Sequence, residues 1–147
     1  PHDLYGLPVY ITENNNGDVV VSDLYRGVVV TSGEGVHRFS YTGPQSESRL
    51  QPQGICTDVM SHILVIDYYT GTVQMLDRDG QFLSYVLTRH ETPRVDYKYD
   101  YKPGRRSLSY DVTTHAVWIG LYNNTMFLCR HINRHLHLAG MSKFVVD

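Results

Sequence analysis

A chain of 147 residues with a formal charge of −2 and 41% hydrophobic residues suits a single globular domain, with no global attraction for nucleic acid or an acidic membrane. No apolar run approaches the roughly 20 residues that cross a bilayer, and residues 1–18 hold no apolar signal core. Two cysteines, Cys56 and Cys129, are too few for a disulfide framework or for zinc domains; they are expected as small buried hydrophobes in a reducing, cytoplasmic setting.

The strand pattern starts almost at once, without an initiator Met, so a fragment or a processed chain is expected. Residues 1–7 (PHDLYGL) read as an entry segment or as the tail of a preceding unit. Four short runs follow at 9–12, 19–22, 28–31 and 37–41. The turn Asn14-Asn15-Asn16-Gly17-Asp18 is strong hairpin chemistry, since Asn and Gly tolerate left-handed backbone. After a polar connection over 42–51, four more runs lie at 54–57, 63–66, 73–76 and 82–87. They are rich in branched and aromatic side chains and separated by Asp/Gly turns, which predicts an antiparallel meander. Residues 88–104 form a long polar insertion in which Tyr97, Tyr99 and Tyr101 alternate with Asp and Lys at a strand's period of two. Beyond it come runs at 107–110, 116–119 and 126–130, with a fourth expected somewhere in 135–138. Residues 141–147 have strand character but no partner that can be named.

These runs repeat. Pro8 answers Pro52, Ile11 answers Ile55, Asp23 answers Asp67 and Gly27 answers Gly71, each 44 residues on. Asp58, His62 and Thr72 are matched by Asp111, His115 and Thr125, each 53 residues on. Four-strand units at a period in the forties predict propeller blades. The expected fold is all-β, with about three four-stranded antiparallel blades near residues 8–43, 52–87 and 105–138 and an insertion at 88–104. Three blades do not close a ring, so either further blades complete it or two chains pair into a six-blade ring as a homodimer.

The order Pro-x-x-Ile, an apolar triplet ending in Asp, a polar turn, Val-Gln-hydrophobic and Asp-x-x-Gly-x-Phe resembles the NHL repeat, best over residues 52–83. The wording of the units is similar to the C-terminal NHL region of invertebrate tripartite-motif proteins of the bivalve kind, over roughly residues 4–130. The resemblance implies a module that recruits a protein, or alternatively binds single-stranded RNA, while ubiquitin-ligase activity resides in zinc domains that this sequence lacks.

In a propeller, the connections from second to third strand and from one blade to the next emerge on one face. Those segments carry Tyr25, Arg26, Tyr68, Tyr69, Tyr97, Tyr99, Arg105, Arg106, Tyr122, Asn123 and Asn124. Aromatic rings stack bases or clamp side chains, and guanidinium groups take phosphate or carboxylate. These residues are the candidate ligand face; the alternative is that they are ordinary loop-tip residues. Asp23 and Asp67 are expected to tie their turns by accepting backbone N–H groups. No catalytic residue, cofactor or metal site is expected. His131, His135 and His137 could hold a metal only if the last two share a strand face, and a solvated face is the commoner arrangement. Cys56 with His62 has no orienting third group, so it is not a convincing nucleophile pair. Two rival classes stand beside the binding module. A propeller enzyme would need His or Asp projecting from the innermost strands; a self-assembling structural unit would need no ligand.

Overall fold

The computed structural model describes residues 3–45, 48–87, 107–121, 125–132 and 137–145. These residues form twelve strands and no helix: β1 (Pro8–Glu13), β2 (Val19–Asp23), β3 (Gly27–Thr31), β4 (His37–Tyr41), β5 (Pro52–Thr57), β6 (Ile63–Asp67), β7 (Thr72–Leu76), β8 (Phe82–Leu87), β9 (Ser107–Asp111), β10 (Ala116–Leu121), β11 (Thr125–Ile132) and β12 (His137–Val145). They pair in chain order as three four-stranded antiparallel sheets, β1-β2-β3-β4, β5-β6-β7-β8 and β9-β10-β11-β12. Each sheet is a meander of hairpins, as the spacing of turn residues predicts.

The repeat is visible in details of the backbone. The proline that opens β1 and the one that opens β5 pair with Asp23 and Asp67, and a register shift follows each. A proline has no N–H for the ladder and is tolerated where a strand begins beside an irregularity. The Tyr68 N–H donates to the Gln51 carbonyl at 2.8 Å, and the Leu24 N–H donates to the Leu7 carbonyl at 3.0 Å. Residues 4–7 therefore stand at the first sheet as residues 48–51 stand at the second.

The sheets stack through two apolar layers. Val20, Val28, Val30 and Tyr41 of the first sheet meet Ile55, Ile63, Val65 and Leu76 of the second. Leu64, Ile66, Val73, Met75 and Leu87 on the other face of the second sheet meet Val117 and Ile119 of the third, with Leu108 and Tyr110 packed alongside. Polar links cross the first of these layers. The buried Tyr41 hydroxyl donates to Gln74 Oε1 at 2.7 Å and the Ser22 hydroxyl to the Gln53 carbonyl at 2.6 Å. At the rim, Arg38 joins Asp18 of its own sheet to Asp79 of the next. Gly80 lies under the Phe39 ring, where a Cβ would come within 2.5 Å of a ring carbon, and its φ of +88° is left-handed.

The repeat leads one to expect Val20, Leu64 and Val117, in the second strands, to pack between adjacent sheets with Ile11, Ile55 and Leu108 of the first strands. All three second-strand residues are fully buried in those layers, although Val117 faces the opposite way from Leu64. Six residues separate the paired Tyr110 and Val117, against five between Thr57 and Ile63. A slip of one residue in the pairing moves the following strand to the opposite face, so Val117 faces back onto the second sheet. Ile55 is buried, yet its counterpart Ile11 is 72% exposed. The fourth strand of the third sheet runs His137–Val145 and pairs with β11 around an irregularity between Cys129 and His131. It thus takes in residues 141–145, for which the sequence names no partner.

Candidate binding face

The turns between second and third strands are built by one carboxylate each. Asp23, fully buried, accepts four backbone N–H groups. Tyr25 and Arg26 donate to Oδ1 at 2.9 Å each; Gly6 and Leu7 donate to Oδ2 at 2.7 and 3.0 Å. Burial pushes the carboxyl up, but these four hydrogen bonds together outweigh it and hold Asp23 below the usual carboxylate range. Asp67 repeats the arrangement. Its Oδ1 accepts the N–H groups of Gln51 and Tyr69 at 3.1 Å each, and its Oδ2 accepts the Thr70 hydroxyl at 2.8 Å. Both turns close on a left-handed glycine, Gly27 at φ +89° and Gly71 at φ +69°. At Gly27 no larger residue fits, because a Cβ would lie 2.2 Å from the Tyr41 carbonyl oxygen. Leu121, not an aspartate, ends the second strand of the third sheet, and the turn after it, residues 122–124, lies outside the described residues.

The clamps fix what the turns present. Tyr25 is 63% exposed and Tyr69 is 65% exposed, each two residues after its aspartate. Arg26 is exposed beside Tyr25, and Tyr68 is half-buried. Gly6 sits so close under Tyr25 that a Cβ there would approach the tyrosine Cβ to 2.9 Å. Arg49, on the connection between first and second sheets, donates from its guanidinium to the Tyr25 carbonyl. Sequence reasoning missed Arg49, reading its segment only as a polar connection; the signal available was a single arginine at the end of that segment. Of the predicted face, the structure thus brings Tyr25 and Arg26 together and sets Tyr68 and Tyr69 on the equivalent turn of the next sheet. Tyr97, Tyr99, Arg105, Arg106, Tyr122, Asn123 and Asn124 lie outside the described residues.

The opposite ends of the sheets carry a different chemistry. Asp58, buried, accepts the N–H groups of Met60 and His62 at 2.9 Å each and faces His62 Nδ1 at 2.8 Å. His115 instead meets the Tyr110 hydroxyl at 2.6 Å through its Nδ1. The two histidines stand in corresponding turns but hold them differently, the one-residue slip in the third sheet's pairing having changed the loop. Asp111 accepts the Thr114 hydroxyl at 2.7 Å and the Thr113 N–H at 2.8 Å; these bonds lower its carboxyl below the ordinary range. The innermost strands also run further than the sequence suggests, with Glu13 ending β1 and Asp111 ending β9. Among the described residues no three His, Cys, Asp or Glu side chains group to hold a metal ion. His135 and the side chains of His131 and His137 lie outside the description.

Cys56 is buried, and that burial, reinforced by the Asp58 carboxylate, pushes its thiol up to about 12. At pH 8 only about one molecule in ten thousand would carry the thiolate that reacts. In a Cys129→Ser background, native protein is therefore expected to resist a disulfide reagent at pH 8 and to react fully once unfolded. Rapid stoichiometric labelling of the native form would contradict the buried assignment.

No family model matches the sequence, and no curated protein is similar to it. Solved structures are informative. A streptogramin B lyase structure superposes with a TM-score of 0.65 at 16% identity, covering 95% of this chain and 40% of that one. A catalytically inactive virginiamycin B lyase from Staphylococcus aureus, solved with quinupristin, gives a TM-score of 0.67 at 16% identity over 95% of this chain and 41% of that one. The fold is β-propeller-like. At this identity the likeness carries the fold alone, and the chain spans about 40% of the length of the lyase chains it matches. The three described sheets succeed one another as blades of such a fold do, the first packed on the second and the second on the third through their first strands. Among the described residues, no helix is long and apolar enough to cross a membrane.

Proposed function

We propose that this chain is a non-catalytic recognition module of NHL type, acting in the cytoplasm, that recruits a protein partner through the face carrying Tyr25 and Tyr69. The observation that supports it is the repetition of one device. An exposed tyrosine follows two residues after a buried aspartate in successive blades, and that aspartate fixes the tyrosine's backbone. A large ring on a rigid turn offers contact area at little entropic cost, as interface anchors do. The pattern over residues 52–83 supports the NHL assignment, and with it a substrate-recognition role of the kind found in tripartite-motif ligases.

Single-stranded RNA is the second reading, favoured by one observation. The Arg49 guanidinium donates to the Tyr25 carbonyl and the exposed Arg26 follows Tyr25 in the chain, so two cationic residues adjoin a ring that could stack a base. The lyase likeness raises an enzymatic reading, but the mechanism of those proteins does not transfer at this identity. The high thiol pKa of Cys56 and the structural use of Asp23 and Asp67 count against the groups that a reaction could have used.

The test is selection of a displayed peptide library, with Tyr25→Ala/Tyr69→Ala as the paired variant. Because both rings are exposed, the variant should lose no more than about 0.5 kcal/mol of stability. Loss of an anchor should cost about 2 kcal/mol or more in affinity, roughly thirtyfold. In parallel, a random single-stranded RNA pool is titrated at two salt concentrations, using wild type and Arg26→Ala/Arg49→Ala. An affinity that falls steeply with salt, with a slope that shrinks by about 0.7 for each phosphate no longer neutralised, would move the assignment to RNA. Peptide binding indifferent to the tyrosines would remove this face.

A further inference from the structure

The turn between β1 and β2 reverses the chain and also ties the first blade to the second. Its backbone closes through the Asn14 N–H, which donates to the Asp18 carbonyl at 2.8 Å, and the Gly17 N–H, which donates to the Asn14 carbonyl at 2.9 Å. Buried Asn14 donates from Nδ2 to the Ser61 carbonyl at 3.0 Å, and Asn15 from Nδ2 to the Asp58 carbonyl at 3.1 Å. Asp18, also buried, is held by Arg38, whose guanidinium reaches on to Asp79 of the second blade. All these ties start from one short loop.

The same loop holds the only Asn-Gly step of the sequence, Asn16-Gly17. An asparagine side chain before glycine is open to attack by the next backbone nitrogen, because glycine has no Cβ to shield that nitrogen. Asn16 is exposed, and nothing lies within 4 Å of where a Cβ on Gly17 would stand. Met60 holds the same place in the second blade's turn, on which Asn14 and Asn15 rest, and it is still 50% exposed. A blade set against the first in the same way would therefore leave Asn16 open.

Two sets of bonds restrain the reaction in the closed turn. The proton that Gly17 must lose is held on the Asn14 carbonyl. The Asn16 amide is gripped at both atoms by Asp18: Oδ1 accepts the Asp18 N–H at 3.1 Å, and Nδ2 donates to Asp18 Oδ2 at 2.8 Å.

We infer that Asn16 is a self-modification site gated by its own turn, and that its conversion loosens the joint between first and second blades. When the turn opens, the Gly17 nitrogen gives its proton to solvent base and bonds to Cγ of Asn16. The Cγ–Nδ2 bond then breaks, and the nitrogen takes a proton from water and leaves as ammonia. Water opens the resulting succinimide at either carbonyl, giving aspartate or isoaspartate, with nothing oxidised or reduced. Aspartate puts a carboxylate where Nδ2 donated, facing the Asp18 oxygen that Arg38 holds, and like charges so close repel. Isoaspartate adds a methylene to the backbone between Asn14 and Asp18, so the bonds that close the turn no longer meet in register. None of this depends on what the tyrosine turns bind.

Peptide mapping by mass spectrometry follows the amide-to-acid conversion in the intact chain at mildly alkaline pH, native and in urea. In urea, residue 16 is expected to convert before the other asparagines. The native protein should convert about tenfold more slowly or slower still, and native Asp18→Ala, which releases Nδ2, about tenfold faster than native wild type. Asn16→Asp, which carries the product's charge, should lower the urea midpoint, and added salt should restore part of the loss. Asn16→Ser lacks the amide without adding a charge, so its midpoint should fall less and ignore salt. Conversion of native wild type as fast as in urea would overturn the gate, as would a folded Asp18→Ala no faster than wild type. If Asp18→Ala does not fold, the native-to-urea ratio of wild type still decides. A wild-type midpoint for Asn16→Asp and for the purified converted protein would overturn the loosened joint.

Discussion

Asp23→Ala is expected to cost about 3–5 kcal/mol of folding stability, the range reached when a buried hydrogen-bonded network is broken. Four backbone donors converge on this one carboxylate, two from the turn and two from residues 6 and 7. Alanine leaves all four without an acceptor at a fully buried site. Asp23→Asn keeps one oxygen but adds an N–H₂ facing donors, so about 2 kcal/mol is expected. The pH dependence carries its own sign. A carboxyl whose folded pKa is depressed contributes stability above its unfolded value of about 3.9, and loses it as pH falls through the folded value. Urea unfolding from pH 7 downward should therefore show part of the acid loss of wild type missing in Asp23→Ala. A midpoint equal to wild type at pH 7, with an unchanged slope, would show that the clamp carries no stability.

Leu64→Ala is expected to cost about 2–5 kcal/mol, the range for truncating a buried leucine when its surroundings relax only in part. Leu64 has no exposed surface and lies between second and third blades with Ile66, Met75 and Val117. The strands on both sides are pinned by their own hydrogen-bond ladders, so little collapse into the void is available. Its loss should appear as a lower urea midpoint with the slope unchanged. An unaltered melting temperature would mean that the layer between these blades is not where the structure places it.

The parts legible in the sequence are those governed by local rules. The strands of the first two blades follow from their short branched apolar runs and the turn residues between them, and the roles of Asp23 and Asp67 follow from their place at strand ends. What failed required counting across a turn or knowing a neighbour. Val117 matched Leu64 by offset, but the pairing slips by one residue, Tyr110 meeting Val117 where Thr57 meets Ile63, and this reversed its face. Ile11 carries the same pattern as Ile55, and no pattern records that the blade which would cover it belongs to no described part of this chain. The last strand was obscured because its residues, His137–Val145 with Gly140 among them, lack the compact branched run of the others, and its pairing with β11 passes an irregularity between Cys129 and His131. Arg49 was missed for a related reason: its carbonyl partner on Tyr25 is 24 residues away, a distance local chemistry does not bridge.

Among the described residues, the second blade alone has an apolar layer on each side, which makes the chain unequal along its length. In a row of units that touch only their neighbours, stability is a sum over units and the joints between them. In native-state hydrogen exchange the amides of β6 and β7, in the sheet with a described apolar layer on each side, are expected to be among the last to exchange.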